Sequence, residues 1–106
     1  MLEWVKVWLK EETDKAEWVK GLEPMEKLLQ ETARGKGYYG SSSGWVKEEA
    51  GRYDILIGWE SMEAHKEWKA GQSEERLGRV MAFLRGDDVE RLELRHVQVE
   101  NRVVKA

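Results

Sequence analysis

The feature that most constrains the fold is the stretch from Tyr53 to Trp68, where a strand pattern changes directly into a helix pattern. In its first half, large apolar side chains occupy every second position: Tyr53, Ile55, Ile57 and Trp59. This period of two, in β-branched and aromatic residues, predicts a buried β-strand. Ser61 can then cap a helix, and Glu63 falls in its first turn, where an acid suits the helix dipole. On that helix His65 and Trp68 are three residues apart and share one surface, so this stretch is the best candidate for a functional site.

The composition predicts one domain and argues against several classes of partner. A chain of 106 residues has room for a single domain, 1–106, with one modest core. Charged residues make up 37% of the chain but the net charge is only −3, with acids and bases interspersed, so there is no basic stripe for nucleic acid. No apolar run is long enough for a membrane span, and no leader sequence is recognisable. The absence of cysteine excludes disulfides and thiolate metal sites, and we expect a cytoplasmic protein.

The first predicted strand, residues 2–9, has apolar side chains on both faces. Val5, Val7 and Leu9 alternate with Trp4, Lys6 and Trp8. A sheet with one wet face would not need large apolar groups on both sides. We therefore expect helices to cover one face of the sheet and a second copy of the chain to cover the other, which makes the protein a homodimer.

Two further helices and two further strands follow from the sequence pattern. Asp14 begins a helix with a buried stripe, and Pro24 within it predicts a kink or two shorter helices. A strand from Tyr38 is loosened by the Gly/Ser run 40–44, which is more typical of a bulge or loop than of a ligand-binding segment. Ser73 can cap the last helix. The last strand carries Leu92, Leu94 and His96 on one face, and Val103 and Val104 would either extend it or reach a partner.

The order β-α-β-β-α-β predicts an α+β fold of the ferredoxin-like type. In this fold an antiparallel four-stranded sheet is backed by helices on one face. Two such sheets paired face to face would form a dimeric α+β barrel and would hide Trp4 and Trp8.

The element order and the motif G-W-E-S-M-E-A-H-K-E-W, residues 58–68, resemble the antibiotic-biosynthesis-monooxygenase-like (ABM) proteins of the dimeric α+β barrel superfamily. The resemblance in element order covers nearly the whole chain. It implies a cavity between each sheet and its helices, with Trp68 facing that cavity. Members of the superfamily include cofactor-free quinone-forming oxygenases, haem-degrading oxygenases, polyketide cyclases and lactone isomerases. The fold alone does not choose among these activities.

The resemblance argues against two of these activities. Haem-degrading members have a histidine ligand at a place that corresponds to the region of Gly78, where this chain has no histidine. They also have an asparagine on the first strand, where this chain offers Trp4, Lys6 and Trp8. Plant polyketide cyclases have a catalytic tyrosine at the position of Trp68, so their mechanism does not transfer unchanged. We therefore expect that no haem, flavin or metal is required.

His65 is the candidate catalytic residue, because a helix-borne imidazole can move protons near neutral pH. A structural histidine would satisfy the same pattern. His96 shares a strand face with two leucines, which favours a structural role, and it is also a candidate substrate contact. The two histidines lack the spacing of a metal site. The other candidate substrate contacts are aromatic: Tyr38, Tyr39, Tyr53, Trp59 and Trp68.

Two interpretations remain open. The first is a cofactor-independent enzyme that acts on a flat aromatic or polyketide-like small molecule, with His65 as acid or base. The second is a non-catalytic ligand-binding or structural dimer, natural or engineered, in which the aromatic side chains fill the core.

Overall fold

A computed structural model describes residues 1–99 and confirms the predicted β-α-β-β-α-β order. The strands are β1 (Leu2–Leu9), β2 (Tyr38–Trp45), β3 (Arg52–Trp59) and β4 (Val89–Val97). The helices are α1 (Lys15–Lys20), α2 (Glu23–Thr32), α3 (Met62–Ala70) and α4 (Glu74–Val80), and one 3₁₀ turn follows at Ala82–Leu84. The predicted role of Val103 and Val104 lies outside the described residues. No helix among residues 1–99 is long and apolar enough to cross a membrane.

The sheet is antiparallel throughout, with the strand order β2-β3-β1-β4. Val5 of β1 lies opposite Ile55 of β3 and Leu94 of β4, so these three side chains share one face of the sheet. The helices pack on this face, and the core consists of its alternate residues together with the inward stripes of α1 and α2. The alternation in the sequence thus identifies the covered face of β1 and β3.

Each predicted helix start has its capping side chain in place. Asp14, Ser61 and Ser73 accept hydrogen bonds from the backbone N–H three residues further on. Pro24 lies in the first turn of α2, where its missing N–H costs nothing, so the predicted helix is divided into α1 and α2.

The Gly/Ser run of β2 does not end the strand. Its pairing with β3 shifts register between Tyr38 and Gly40 and then continues to Trp45. Gly37, just before β2, has φ of +92°, and a Cβ there would lie 2.8 Å from the Cβ of Ala64. Only glycine therefore allows the start of β2 to approach α3 this closely.

The other face of the sheet is open within residues 1–99. Trp4 donates a hydrogen bond from Nε1 to Asp54 Oδ2 at 2.9 Å, and Lys6 Nζ lies 4.2 Å from the centre of the Trp4 ring. The guanidinium groups of Arg52 and Arg91 lie over Trp8. The predicted fold class is thus confirmed, whereas the homodimer through this face stays a prediction.

Candidate functional site

A cavity of about 500 Å³ lies between the covered face of the sheet and the helices. Most of its lining is apolar: Val5, Ile55 and Ile57 from the sheet, Met25, Leu28 and Leu29 from α2, and Leu77, Val80, Met81 and Leu84 from α4 and the turn after it. Three exposed charged side chains, Lys69, Glu74 and Arg85, also border the cavity, so that part of it opens to solvent. An apolar space with few polar groups is typical of a small-molecule site.

Two tryptophans form the aromatic part of the lining. Trp59 and Trp68 line the cavity with their ring centres 5.5 Å apart. Trp68 donates a hydrogen bond from Nε1 to Thr32 Oγ1 at 2.8 Å, and the Thr32 hydroxyl donates to Leu28 O at 2.7 Å. Since both polar atoms are satisfied within the core, the orientation of the Trp68 ring is fixed.

His65 is buried at the polar end of the cavity, with 9% of its surface exposed. Its ring stacks on Trp59 with 4.9 Å between the ring centres and 30° between the planes. Its Nε2 lies 3.6 Å from Glu3 Oε2, whereas its Nδ1 is buried and has no hydrogen-bond partner among the described residues. A buried imidazole nitrogen without a hydrogen-bond partner costs stability, and such sites are often functional.

Glu3 also borders the cavity beside His65, and the sequence reasoning did not include it among the candidate site residues. Its carboxylate accepts a hydrogen bond from Trp59 Nε1 at 3.2 Å, and only 13% of its side chain is exposed. Trp4, Lys6 and Trp8, which were set against the asparagine of the haem-degrading proteins, lie on the open face of β1. The residues of β1 that face the cavity side are Glu3, Val5 and Val7, so that comparison used the wrong face of the strand. One signal for Glu3 was available in the sequence, because it alternates with Val5 and Val7 and so lies on the same face of β1 as these two apolar residues.

Burial lowers the pKa of His65 below its ordinary value of 6.5. The carboxylate of Glu3 acts in the opposite direction, and His96 and Lys69 lower the pKa further through charge repulsion. At neutral pH His65 is therefore an uncharged imidazole, which is the form that can accept a proton.

Glu3, His65 and His96 are the residues that could hold a metal ion. One donor atom from each lies within 4.8 Å of the others, and this is a cluster that the sequence spacing did not predict. That no metal, haem or flavin is required stays a prediction.

The structure brings together some of the predicted site residues and separates others. Trp59, His65 and Trp68 line the cavity. Tyr38 packs on Trp59, with 5.6 Å between the ring centres, but it does not line the cavity. The ring centre of His96 lies 5.8 Å from that of His65, although the His96 side chain is exposed.

Tyr39 and Tyr53 do not line this cavity. Tyr38 lies opposite Trp59 on the covered face, so the next residue, Tyr39, lies on the open face, where it is 75% exposed. Tyr53 shares the covered face with Trp59 but lies about 20 Å further along β3. There it packs against Trp18 and Trp45, and its hydroxyl shares a hydrogen bond with Ser43 Oγ at 2.7 Å.

Solved structures with the same fold are found among ABM-like proteins. A candidate antibiotic biosynthesis monooxygenase from Caulobacter crescentus has a TM-score of 0.72 at 17% identity, over 93% of this chain and 89% of that one. One from Bordetella bronchiseptica has a TM-score of 0.67 at 15% identity, over 93% and 96%. A dimeric ferredoxin-like protein from an uncultured marine organism has a TM-score of 0.64 at 12% identity, over 99% and 91%.

These similarities define the class of fold to which the chain belongs. It has the ABM-like, ferredoxin-like α+β fold that the 58–68 motif predicted. No protein-family model and no curated protein sequence matches the chain. At such low identities the likeness establishes the fold and not the reaction.

Proposed function

We propose that the protein is a cofactor-independent enzyme that binds a flat aromatic or polyketide-like molecule in this cavity, with His65 as the acid or base. The observation that carries the proposal is the position of His65, a buried imidazole stacked on Trp59 at the polar end of an apolar cavity. In such a place a neutral imidazole is protected from water and close to any ligand that fills the space.

The size and lining of the cavity support a flat substrate. About 500 Å³ is enough for a fused ring system of two or three rings. The rings of Trp59 and Trp68 offer faces and edges for stacking, and the aliphatic side chains of α2 and α4 provide the remaining contacts.

The chemical step that we propose is removal of a proton from a phenol or from an activated C–H group. The bond to hydrogen breaks, the proton passes to His65, and the electron pair spreads into the ring system of the substrate. The resulting anion is the common start of oxygenation by dioxygen, intramolecular cyclisation and isomerisation. The proposal therefore concerns the proton transfer and leaves these three outcomes open.

Binding of a flat aromatic probe tests the first part of the proposal. Anthrone, a tricyclic ketone with an activated central CH₂ group, should quench the tryptophan fluorescence in a saturable manner. Trp68→Ala should weaken binding about tenfold or more, since it removes a large stacking surface. Trp45→Ala is the matched control, because Trp45 is 41% exposed in the separate cluster around Tyr53. Equal affinities for wild type and Trp68→Ala would contradict this assignment of the binding site.

The alternative function is a non-catalytic ligand-binding or structural dimer. It is favoured by one observation, the packing of Trp18 and Trp45 on Tyr53, which shows that aromatic side chains in this protein also pack on one another away from the cavity. Saturable binding of anthrone without any acceleration of its proton exchange would select the binding protein over the enzyme.

Homodimer formation through the open face is a further part of the proposal. Trp4, Trp8 and Leu56 lie on this face, and pairing with a second sheet would bury them. Sedimentation equilibrium should give a dimer, and Leu56→Lys should shift the mass toward the monomer, because each copy would place a charged side chain in the buried interface. Leu92→Lys, on the opposite face of the sheet, is the control. A folded wild-type monomer at high micromolar concentration would rule the dimer out.

A further inference from the structure

We propose that Glu3 and His96 form a proton path that connects His65 with solvent, so that a proton taken up in the cavity leaves by way of this pair. The inference rests on the proposed function of His65 and extends it to two residues of other strands. Glu3 comes from β1, His65 from α3 and His96 from β4, and the fold brings the three groups together at one end of the cavity.

The distances suit transfer of a proton by short steps. His65 Nε2 lies 3.6 Å from Glu3 Oε2, slightly longer than a hydrogen bond, and the donor atoms of all three residues lie within 4.8 Å of one another. One bridging water molecule can span such a separation. His65 is buried whereas the side chain of His96 is exposed, so the path runs from the interior to the surface.

Glu3 is suited to the role of a positioning residue. Its Oε1 is held by the Trp59 N–H at 3.2 Å, which leaves Oε2 directed at His65. A fixed carboxylate beside the imidazole stabilises the imidazolium that forms when the substrate loses its proton. Without Glu3, the positive charge on His65 would form beside His96 and Lys69, which both repel it.

Among residues 1–99, three further charged side chains line the cavity. Lys69 on the same helix repels a proton on His65, while Glu74 and Arg85 border the cavity from the α4 side. The α2 side chains that line it, Met25, Leu28 and Leu29, carry no charge. Glu3 and His96 are therefore the titratable groups to vary.

The atoms of the path balance without an oxidant or a reductant. A C–H or O–H bond of the substrate breaks, and His65 gains the proton. The proton then leaves from Nε2 and reaches His96 through water held beside the Glu3 carboxylate. His96 releases it to bulk water, so that Glu3 and His96 return to their starting forms and His65 returns to a neutral imidazole.

The first test needs no substrate, because His65 and His96 are the two histidines of the chain and give separate ring signals in NMR. Glu3→Gln should lower the pKa of His65, and His96→Gln should raise it. Glutamine at position 3 still accepts the hydrogen bond from Trp59, so the fold is preserved. Glu26→Gln, an exposed change on α2, should leave the pKa of His65 in place. A chelator in all samples excludes bound metal.

Shifts of opposite sign are the signature of electrostatic coupling, which a purely structural role for Glu3 or His96 would not produce. If the pKa of His65 stayed at its wild-type value in both variants, or moved the same way in both, the proposal would be overturned. This outcome leaves the role of His65 as a base standing, so the two proposals fail separately.

The second test concerns the transfer to solvent. With anthrone in heavy water at low buffer concentration, His96→Gln should slow the enzyme-catalysed exchange by about tenfold, a fraction of the usual effect of direct acid–base catalysis. Added imidazole should restore the rate, because a soluble base replaces the missing side chain. A slow rate that imidazole does not restore, or no loss of rate at all, would contradict the proton path.

Discussion

His65→Gln should reduce the enzyme-catalysed exchange of the central hydrogens of anthrone with heavy water by about 10²–10⁴-fold, the usual contribution of a general base. Glutamine fills much of the same space but cannot accept a proton near neutral pH. Anthrone binding should remain largely intact, because the ring contacts of Trp59 and Trp68 are unchanged. The measurement is proton NMR of the ligand under argon, with fluorescence quenching to follow binding.

The matched control for this variant is Lys66→Gln, which changes the adjacent exposed residue of α3. It should exchange anthrone at the wild-type rate. The rate should also fall as the pH drops, with a midpoint below 6.5, because burial lowers the pKa of His65 and the neutral imidazole is the active form. A His65→Gln variant as active as wild type would show that another group removes the proton.

Trp59→Ala should lower the free energy of unfolding by about 3–5 kcal/mol, the typical cost of removing a fully buried tryptophan. Trp59 is 1% exposed and contacts His65, Trp68 and Tyr38, and it supplies the N–H that satisfies Glu3. The loss therefore combines a cavity in the core with a buried carboxylate that has no donor. Urea unfolding at a fixed protein concentration would measure it, since a dimer links stability to concentration.

Two companion variants separate the causes. Trp59→Phe retains a ring and loses only the N–H, so it should cost less than Trp59→Ala. Trp45→Ala removes a tryptophan that is 41% exposed and should also cost less. If Trp59→Ala were no more destabilising than Trp45→Ala, this would contradict the conclusion that Trp59 stabilises both the core and the site.

The fold could be predicted because each element has a strong local signal. The alternation of Tyr53, Ile55 and Ile57 identifies the covered face of β3, and the capping residues Ser61 and Ser73 mark the helix starts. These signals depend on near neighbours in the chain, so a single sequence contains them. The position of β1 between β3 and β4 agrees with the ferredoxin-like type that the element order predicted.

The site could be predicted only in part, because its geometry depends on strand register and on position along the sheet. The helical spacing placed His65 and Trp68 on one surface, but no local pattern shows that β1 brings Glu3 beside them. Tyr39 points outward because adjacent strand residues face opposite sides of the sheet, and the pair Tyr38-Tyr39 does not reveal which of the two rings faces the core. Tyr53 was assigned to the correct face, yet alternation gives the face of a residue and not its distance from Trp59.

We propose above that a flat aromatic molecule binds in the cavity between the sheet and α3, against His65 and Trp68. The most direct measurement is the set of intermolecular nuclear Overhauser effects between bound anthrone and the assigned ring protons of the protein. We expect contacts between anthrone and the rings of His65, Trp59 and Trp68. Contacts to Trp4 and Trp8 on the open face of the sheet, with none to His65, would contradict it.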